Sequence, residues 1–166
     1  LTHLDRSLAR DPENPDGWSS RGLVLWQLER PEEALQSYDQ ALARRPQDAA
    51  ALYNSGCVLQ RLNRSRDALA RFDRALALQP DFAGALNNRG LALADLGLYD
   101  AALASYERAL MVAPGHGDIL FNRGAALYYL KRFDAALASY EAALAVNHPY
   151  ALGGALAASV TLCDWP

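Results

Sequence analysis

Ser37-Tyr38-Asp39-Gln40-Ala41-Leu42 is echoed 34 residues later by Arg71-Phe72-Asp73-Arg74-Ala75-Leu76. Two more steps of 34 residues bring Ser105-Tyr106-Glu107-Arg108-Ala109-Leu110 and Ser139-Tyr140-Glu141-Ala142-Ala143-Leu144. Working outward from this hexapeptide divides the chain into units 15–48, 49–82, 83–116 and 117–150. Gly22, Gly56, Gly90 and Gly124 stand at the eighth place of each unit. Ala34, Ala68, Ala102 and Ala136 stand at the twentieth, and Tyr38, Phe72, Tyr106 and Tyr140 at the twenty-fourth. The twenty-seventh place holds Ala41, Ala75, Ala109 and Ala143, and Pro46, Pro80 and Pro114 close three units at place thirty-two.

Each recurrence has a physical reason. Gly and Ala lack bulk, so two antiparallel helices can approach closely where they cross. A mid-helix Gly costs about 0.5–1 kcal/mol relative to Ala, so four of them need a packing reason. The aromatic supplies a large wedge between neighbouring units. Pro cannot continue a helix and ends the second helix of its unit. The spacing predicts first helices over 15–28, 49–62, 83–96 and 117–130, and second helices over 31–44, 65–78, 99–112 and 133–146. Composition agrees: 32 Ala and 29 Leu stand against five Val, one Ile and two Thr, which favours helix over sheet. A unit of this kind cannot bury its apolar face alone and must stack on its neighbours.

The period and pattern resemble the tetratricopeptide repeat over about nine tenths of the chain. The resemblance implies an all-α fold, a right-handed superhelical solenoid of antiparallel helix pairs. The seventh place departs from the family's usual Leu, holding Arg21, Ser55, Arg89 and Arg123. Pro149 also comes one residue late in the fourth unit, after His148.

The ends read as parts of further units. His3 to Pro12 aligns with Ser37 to Pro46 at the 34-residue offset, so residues 1–14 read as the second helix of a repeat whose first half is missing. Residues 151–166 begin at the offset of a fifth first helix but carry Ala158 at place eight, and read as a capping helix and exit. Their close, Leu162-Cys163-Asp164-Trp165, resembles the junction where repeats meet the catalytic domain in bacterial relatives of the O-linked N-acetylglucosamine (O-GlcNAc) transferases. That resemblance implies a piece of a longer, glycosyltransferase-like protein.

Places 2, 6, 9 and 13 share one face of each first helix. Place six reads Ser20, Asn54, Asn88 and Asn122. Asn is a mediocre mid-helix residue whose amide both donates and accepts, so it can hold the backbone of an extended peptide without reading its side chains. The recurrence resembles the asparagine ladder on the inner surface of the O-GlcNAc transferase family. The resemblance carries a peptide-binding role to Asn54, Asn88 and Asn122, with Ser20 as the departure. Tyr53, Asn87, Phe121, Arg61, Asp95 and Tyr128 are the flanking candidates, with Trp26, Gln60 and Tyr129 beside them. Arg61 is set against Asp95, Asp16 and Asp118, so the stripe does not resemble the basic clamp of chaperone-adaptor repeats.

Other classes find little footing. A net charge of −3 is no footprint for a nucleic acid, and no apolar run approaches the length of a membrane span. His3, His116 and His148 share no ligand spacing, and Cys57 and Cys163 read as reduced thiols of an intracellular, cytoplasmic chain. No nucleophile elbow, zinc-binding helix or phosphate loop appears, and Asp39, Asp73, Glu107 and Glu141 recur with the repeat as a solvated face rather than an acid–base pair. The expectation is a scaffold without cofactor or metal that binds an extended protein segment on its concave face. The alternative is self-assembly into a homo-oligomer by repeat stacking.

Overall fold

Helices account for the regular structure of residues 1–163, those described by the computed structural model, and no strand occurs among them. Asp164, Trp165 and Pro166, and with them half of the Leu-Cys-Asp-Trp signature, lie outside the described residues. The chain divides into two units, 1–80 and 81–166. The first holds α1 (Thr2–Arg10), α2 (Pro15–Gln27), α3 (Pro31–Arg44), α4 (Ala49–Arg61) and α5 (Ser65–Leu78). The second holds α6 (Ala83–Asp95), α7 (Tyr99–Val112), α8 (Gly117–Tyr129), α9 (Phe133–Ala145) and α10 (Ala151–Cys163).

Within each unit, consecutive helices pack as antiparallel pairs: α2 with α3 and α4 with α5, then α6 with α7 and α8 with α9. The even-numbered helices are the first helices expected from the repeat. The four that open repeats each end one residue earlier than the spacing predicts, because the chain turns left-handed two residues after the last helical one. Glu29, Asn63, Gly97 and Lys131, all at place fifteen, have φ between 56° and 76°. Each turn is closed by the same pair of bonds. Arg30 N–H donates to Leu25 O at 3.0 Å and Glu29 N–H to Trp26 O at 3.1 Å, as Arg132 does to Leu127 and Lys131 to Tyr128 at 2.9 Å. This is the Schellman closure, which satisfies carbonyls that a helix end leaves open. Gly97 suits it, whereas Glu29 and Lys131 adopt it at a cost of about 1–2 kcal/mol.

Starts are sealed less evenly. Asn14 accepts from the Asp16 and Gly17 amides at 3.0 and 3.1 Å, and Asp48 from the Ala51 amide at 2.9 Å. Phe82 and His116, at the same place of later repeats, make no such side-chain bond.

The place-24 rings explain the glycines. Tyr38, Phe72 and Tyr106 are almost wholly buried, and Tyr140 is 5% exposed. A Cβ at Gly22 would meet the Tyr38 ring at 3.0 Å, one at Gly56 the Phe72 ring at 2.5 Å, and one at Gly124 the Tyr140 ring at 2.8 Å. The small residue thus makes room for the aromatic ring of its own repeat, which lets the two helices close. On its other side Tyr140 lies against Gly154 of α10, where a Cβ would stand 2.5 Å away. Burial pushes the Tyr38 and Tyr140 hydroxyls up to about 12, so both rings stay neutral in the core. Leucines at place eleven complete the layer, Leu25, Leu59, Leu93 and Leu127 each at most 4% exposed. The place-fourteen leucines are less buried, and Leu28 is exposed.

The seventh-place departures are partnered. Arg21 donates to Ser37 Oγ at 2.7 Å, Arg89 to Ser105 Oγ at 2.6 Å and Arg123 to Ser139 Oγ at 2.6 Å. Those serines occupy place 23, and all are buried. In the second repeat the two types change places: Ser55 is at seven and Arg71 at twenty-three. The guanidinium nonetheless reaches the same kind of target, the acid at place 25 of the preceding repeat. Arg21 bonds Asp5 at 2.8 Å, Arg71 bonds Asp39 at 2.7 Å, and Arg123 lies 3.7 Å from Glu107. Asp39 and Glu107, expected as plain solvated charges, are exposed yet ion-paired between neighbouring repeats.

Candidate functional site

In residues 1–80 the predicted stripe runs along α2 and α4. Ser20 is exposed and Asn54 half-buried. Tyr53 turns its ring toward the core, 6.0 Å from Phe72 at a tilt of 49°. Arg61 holds its guanidinium 5.8 Å from the centre of the Trp26 ring. Trp26, Gln27, Glu29, Pro31 and Arg61 line a cleft of about 280 Å³. Gln60 is half-buried. A larger hollow, about 580 Å³, lies among α1, α2 and α3 and is walled by Trp18 and the Arg21–Asp5 pair.

In residues 81–163 the asparagines join. Asn122 donates its amide to Asn87 Oδ1 at 3.0 Å, and Asn87 donates to Asn88 Oδ1 at 3.1 Å. The chain of amides runs from α8 to α6 and fixes the direction in which each points its donors. Asn122 also lines a second cleft, about 210 Å³, with Leu91, Ala94, Asp95, Tyr99, Tyr106, Ala125, Ala126 and Tyr129. Tyr99 and Tyr129, both in its lining, stack on one another, centroids 4.7 Å apart and planes within 9°. Burial and the Asp95 charge hold the Tyr106 hydroxyl well above its usual range.

The two clefts are the same repeat feature. Each takes places 12, 13 and 17 of one repeat and place 13 of the next: Trp26, Gln27, Pro31 and Arg61 in one, Ala94, Asp95, Tyr99 and Tyr129 in the other. Their chemistry differs. The first carries a guanidinium on an indole, and the second is lined by tyrosines, an amide and a carboxylate with no basic residue.

Phe121 and Tyr128 are held in packing. Phe121 stacks on His148 at 4.7 Å and leans on Tyr140 at 5.6 Å. Asp118 Oδ1 lies 3.2 Å from Nε2 of that His148. Tyr128 packs edge-on against Phe133 at 5.3 Å, beside the buried cluster of Leu127, Ala136 and Tyr140. Tyr99 escaped the sequence reading because place seventeen opens the second helix, outside the first-helix stripe. No recurrence marked it either, since that place holds Pro31, Ser65 and Phe133 elsewhere.

Among the described residues no cluster of His, Cys, Asp and Glu is arranged to hold a metal ion. No helix among them is long and apolar enough to cross a membrane.

Paired helices of 34-residue period, a ring wedged over a glycine in each, and clefts between successive first helices define a helical repeat scaffold. Three family models, each described as a tetratricopeptide repeat, match residues 16–81, 53–117 and 117–150. The chain belongs to the tetratricopeptide-repeat proteins. Among solved structures it is similar to YrrB, described as a tetratricopeptide-repeat protein with an unusual peptide-binding site, at 27% identity and a TM-score of 0.82, covering 90% of this chain and 78% of that one. It is also similar to MamA, at 24% identity and a TM-score of 0.83, covering 87% of this chain and 84% of that one. PilF of Pseudomonas aeruginosa shares 21% identity and a TM-score of 0.85, covering 97% and 74%. A comparison with curated protein sequences finds no significant match. The family matches end at residue 150, before the C-terminal sequence on which the expectation of an O-GlcNAc-transferase parent rests.

Proposed function

We propose that the first-helix faces bind an extended segment of a partner protein, with Asn88 and Asn122 holding backbone in residues 81–163 and Asn54 taking the same part in residues 1–80. The Asn122–Asn87–Asn88 chain carries this reading. Amides already oriented by one another lose less freedom when a peptide arrives, so more of each new hydrogen bond appears as affinity. The likeness to YrrB, whose structure is described by its peptide-binding site, supports the same class of ligand. Tyr53, Phe121 and Tyr128 then act by shaping the face from beneath, whereas Arg61, Asp95 and Asn87 stand on it. Presentation of the segment to a sugar-transferring domain has only the C-terminal sequence behind it and forms no part of this proposal.

The test uses peptides of about a dozen residues selected on the chain from a random display library. Replacing Asn54, Asn88 and Asn122 together by Ala is expected to weaken a selected peptide at least tenfold, since each net hydrogen bond is worth about 0.5–1.5 kcal/mol. The melting temperature should barely move, because Ala is the better helix former. Equal affinity for both proteins overturns the assignment.

Self-association is a second reading, and α10 carries it. Ala151, Ala155 and Ala158 are its buried side, whereas Leu152, Leu156 and Val160 are each 56% exposed. A helix apolar on both faces normally has both covered. Sedimentation across concentration should show a dimer that Leu156→Glu dissociates, and a strict monomer removes this reading.

A further inference from the structure

The cleft between α6 and α8 has a chemistry that selects what enters it. Its lining includes Tyr99 and Tyr129, which stack on one another at 4.7 Å and can meet a ligand only with an outer ring face, and the amide of Asn122. Asn122 uses an N–H on Asn87, and its carbonyl oxygen has no protein donor among the described residues. The Asp95 carboxylate completes the lining, and no Lys, Arg or His contributes to it. The one charged side chain in this lining is therefore an anion, set beside tyrosines and an amide. Aromatic faces attract cations through their quadrupole, and the outer face of a stacked pair is a flat surface for a guanidinium or for the stem of a lysine. At about 210 Å³ the space suits one long side chain rather than a folded segment.

We infer that this cleft takes one cationic side chain, arginine or lysine, of the bound extended segment, with Tyr129 and Tyr99 as its platform and Asn122 and Asp95 as its acceptors. The inference rests on the peptide-binding reading and adds to it the charge of one partner residue. The equivalent cleft of residues 1–80 makes the contrast. There Arg61 occupies the place of Tyr129, so the chain's own guanidinium already lies against an aromatic ring. In the second cleft that role is left for a cation from outside.

The probe is N-acetyl-arginine N-methylamide, titrated into the whole isotope-labelled chain and followed by NMR at the Tyr99 and Tyr129 rings and the Asn122 amide. Its neutral citrulline and acidic glutamate counterparts are run beside it. Saturable shifts at those groups with the arginine probe alone are expected, weakened at least fivefold by Tyr129→Ala. That ring is 64% exposed, so its removal leaves the core intact. Absence of saturable shifts, or equal response to citrulline, overturns the site. Selected peptides separate this failure from that of the wider reading. Peptides that depend on the three asparagines, yet show no enriched basic residue and no sensitivity to Tyr129→Ala, refute the cationic site and leave peptide binding standing. Peptides indifferent to the asparagines refute the wider reading.

Discussion

Gly90→Ala is expected to lower the melting temperature by about 3–8 °C, although Ala is the better helix former. A Cβ on residue 90 would sit well inside contact distance of the Tyr106 ring, with Cζ only 2.7 Å away. That ring is 1% exposed and held in the core by its packing. Overpacking of this kind costs about 1–3 kcal/mol, against a helix gain of about 0.5–1 kcal/mol. Gly153→Ala is the opposite case. Nothing lies within 4 Å of a Cβ there, so only the helix gain remains and the protein should become more stable. Thermal melts of the two variants followed by circular dichroism therefore move in opposite directions. If Gly90→Ala also stabilised the protein, the ring would not be what demands the glycine.

Ser55→Arg is expected to destabilise the chain by about 2 kcal/mol or more, and adding Arg71→Ser should return it to within about 0.5 kcal/mol of the starting protein. Ser55 is fully buried and donates its hydroxyl to Leu52 O at 2.9 Å, while the Arg71 guanidinium bonds Asp39 at 2.7 Å. A second guanidinium at place seven would meet like charge and lack an acceptor, which is the costly way to bury an ion. Arg71→Ser alone removes a half-exposed ion pair, worth no more than about 1 kcal/mol. Together the two changes rebuild the order of Arg21–Ser37, Arg89–Ser105 and Arg123–Ser139, in which place seven supplies the cation and place twenty-three the hydroxyl. Denaturant titrations of the four proteins close a double-mutant cycle. Additive effects would mean that the exchanged pair is a coincidence of sequence.

The stripe shows where sequence reasoning stops. Asn54, Asn88 and Asn122 were legible as a set because they recur at one helical place. That Asn122 and Asn88 are joined through Asn87, a neighbour outside the six-place pattern, was not. Tyr53 and Phe121 share the face by spacing alone, yet each leans one residue inward onto a place-24 ring. Tyr99 lies on a second helix, and its partner Tyr129 comes from the following repeat.

Period, helix pairing and the small and aromatic core places were determined by the sequence itself. Along one helix 3.6 residues make a turn, so spacing alone dictates which side chains share a face, and a repeated unit meets a repeated environment. Left to the tertiary structure were the contacts between helices: the ring over Gly90, the guanidinium that reaches the preceding repeat from either place seven or twenty-three, and the tyrosine pair above Asn122. These depend on the angle at which two helices cross and on the rotamers that crossing permits, and neither quantity is written in the order of residues along one strand of chain.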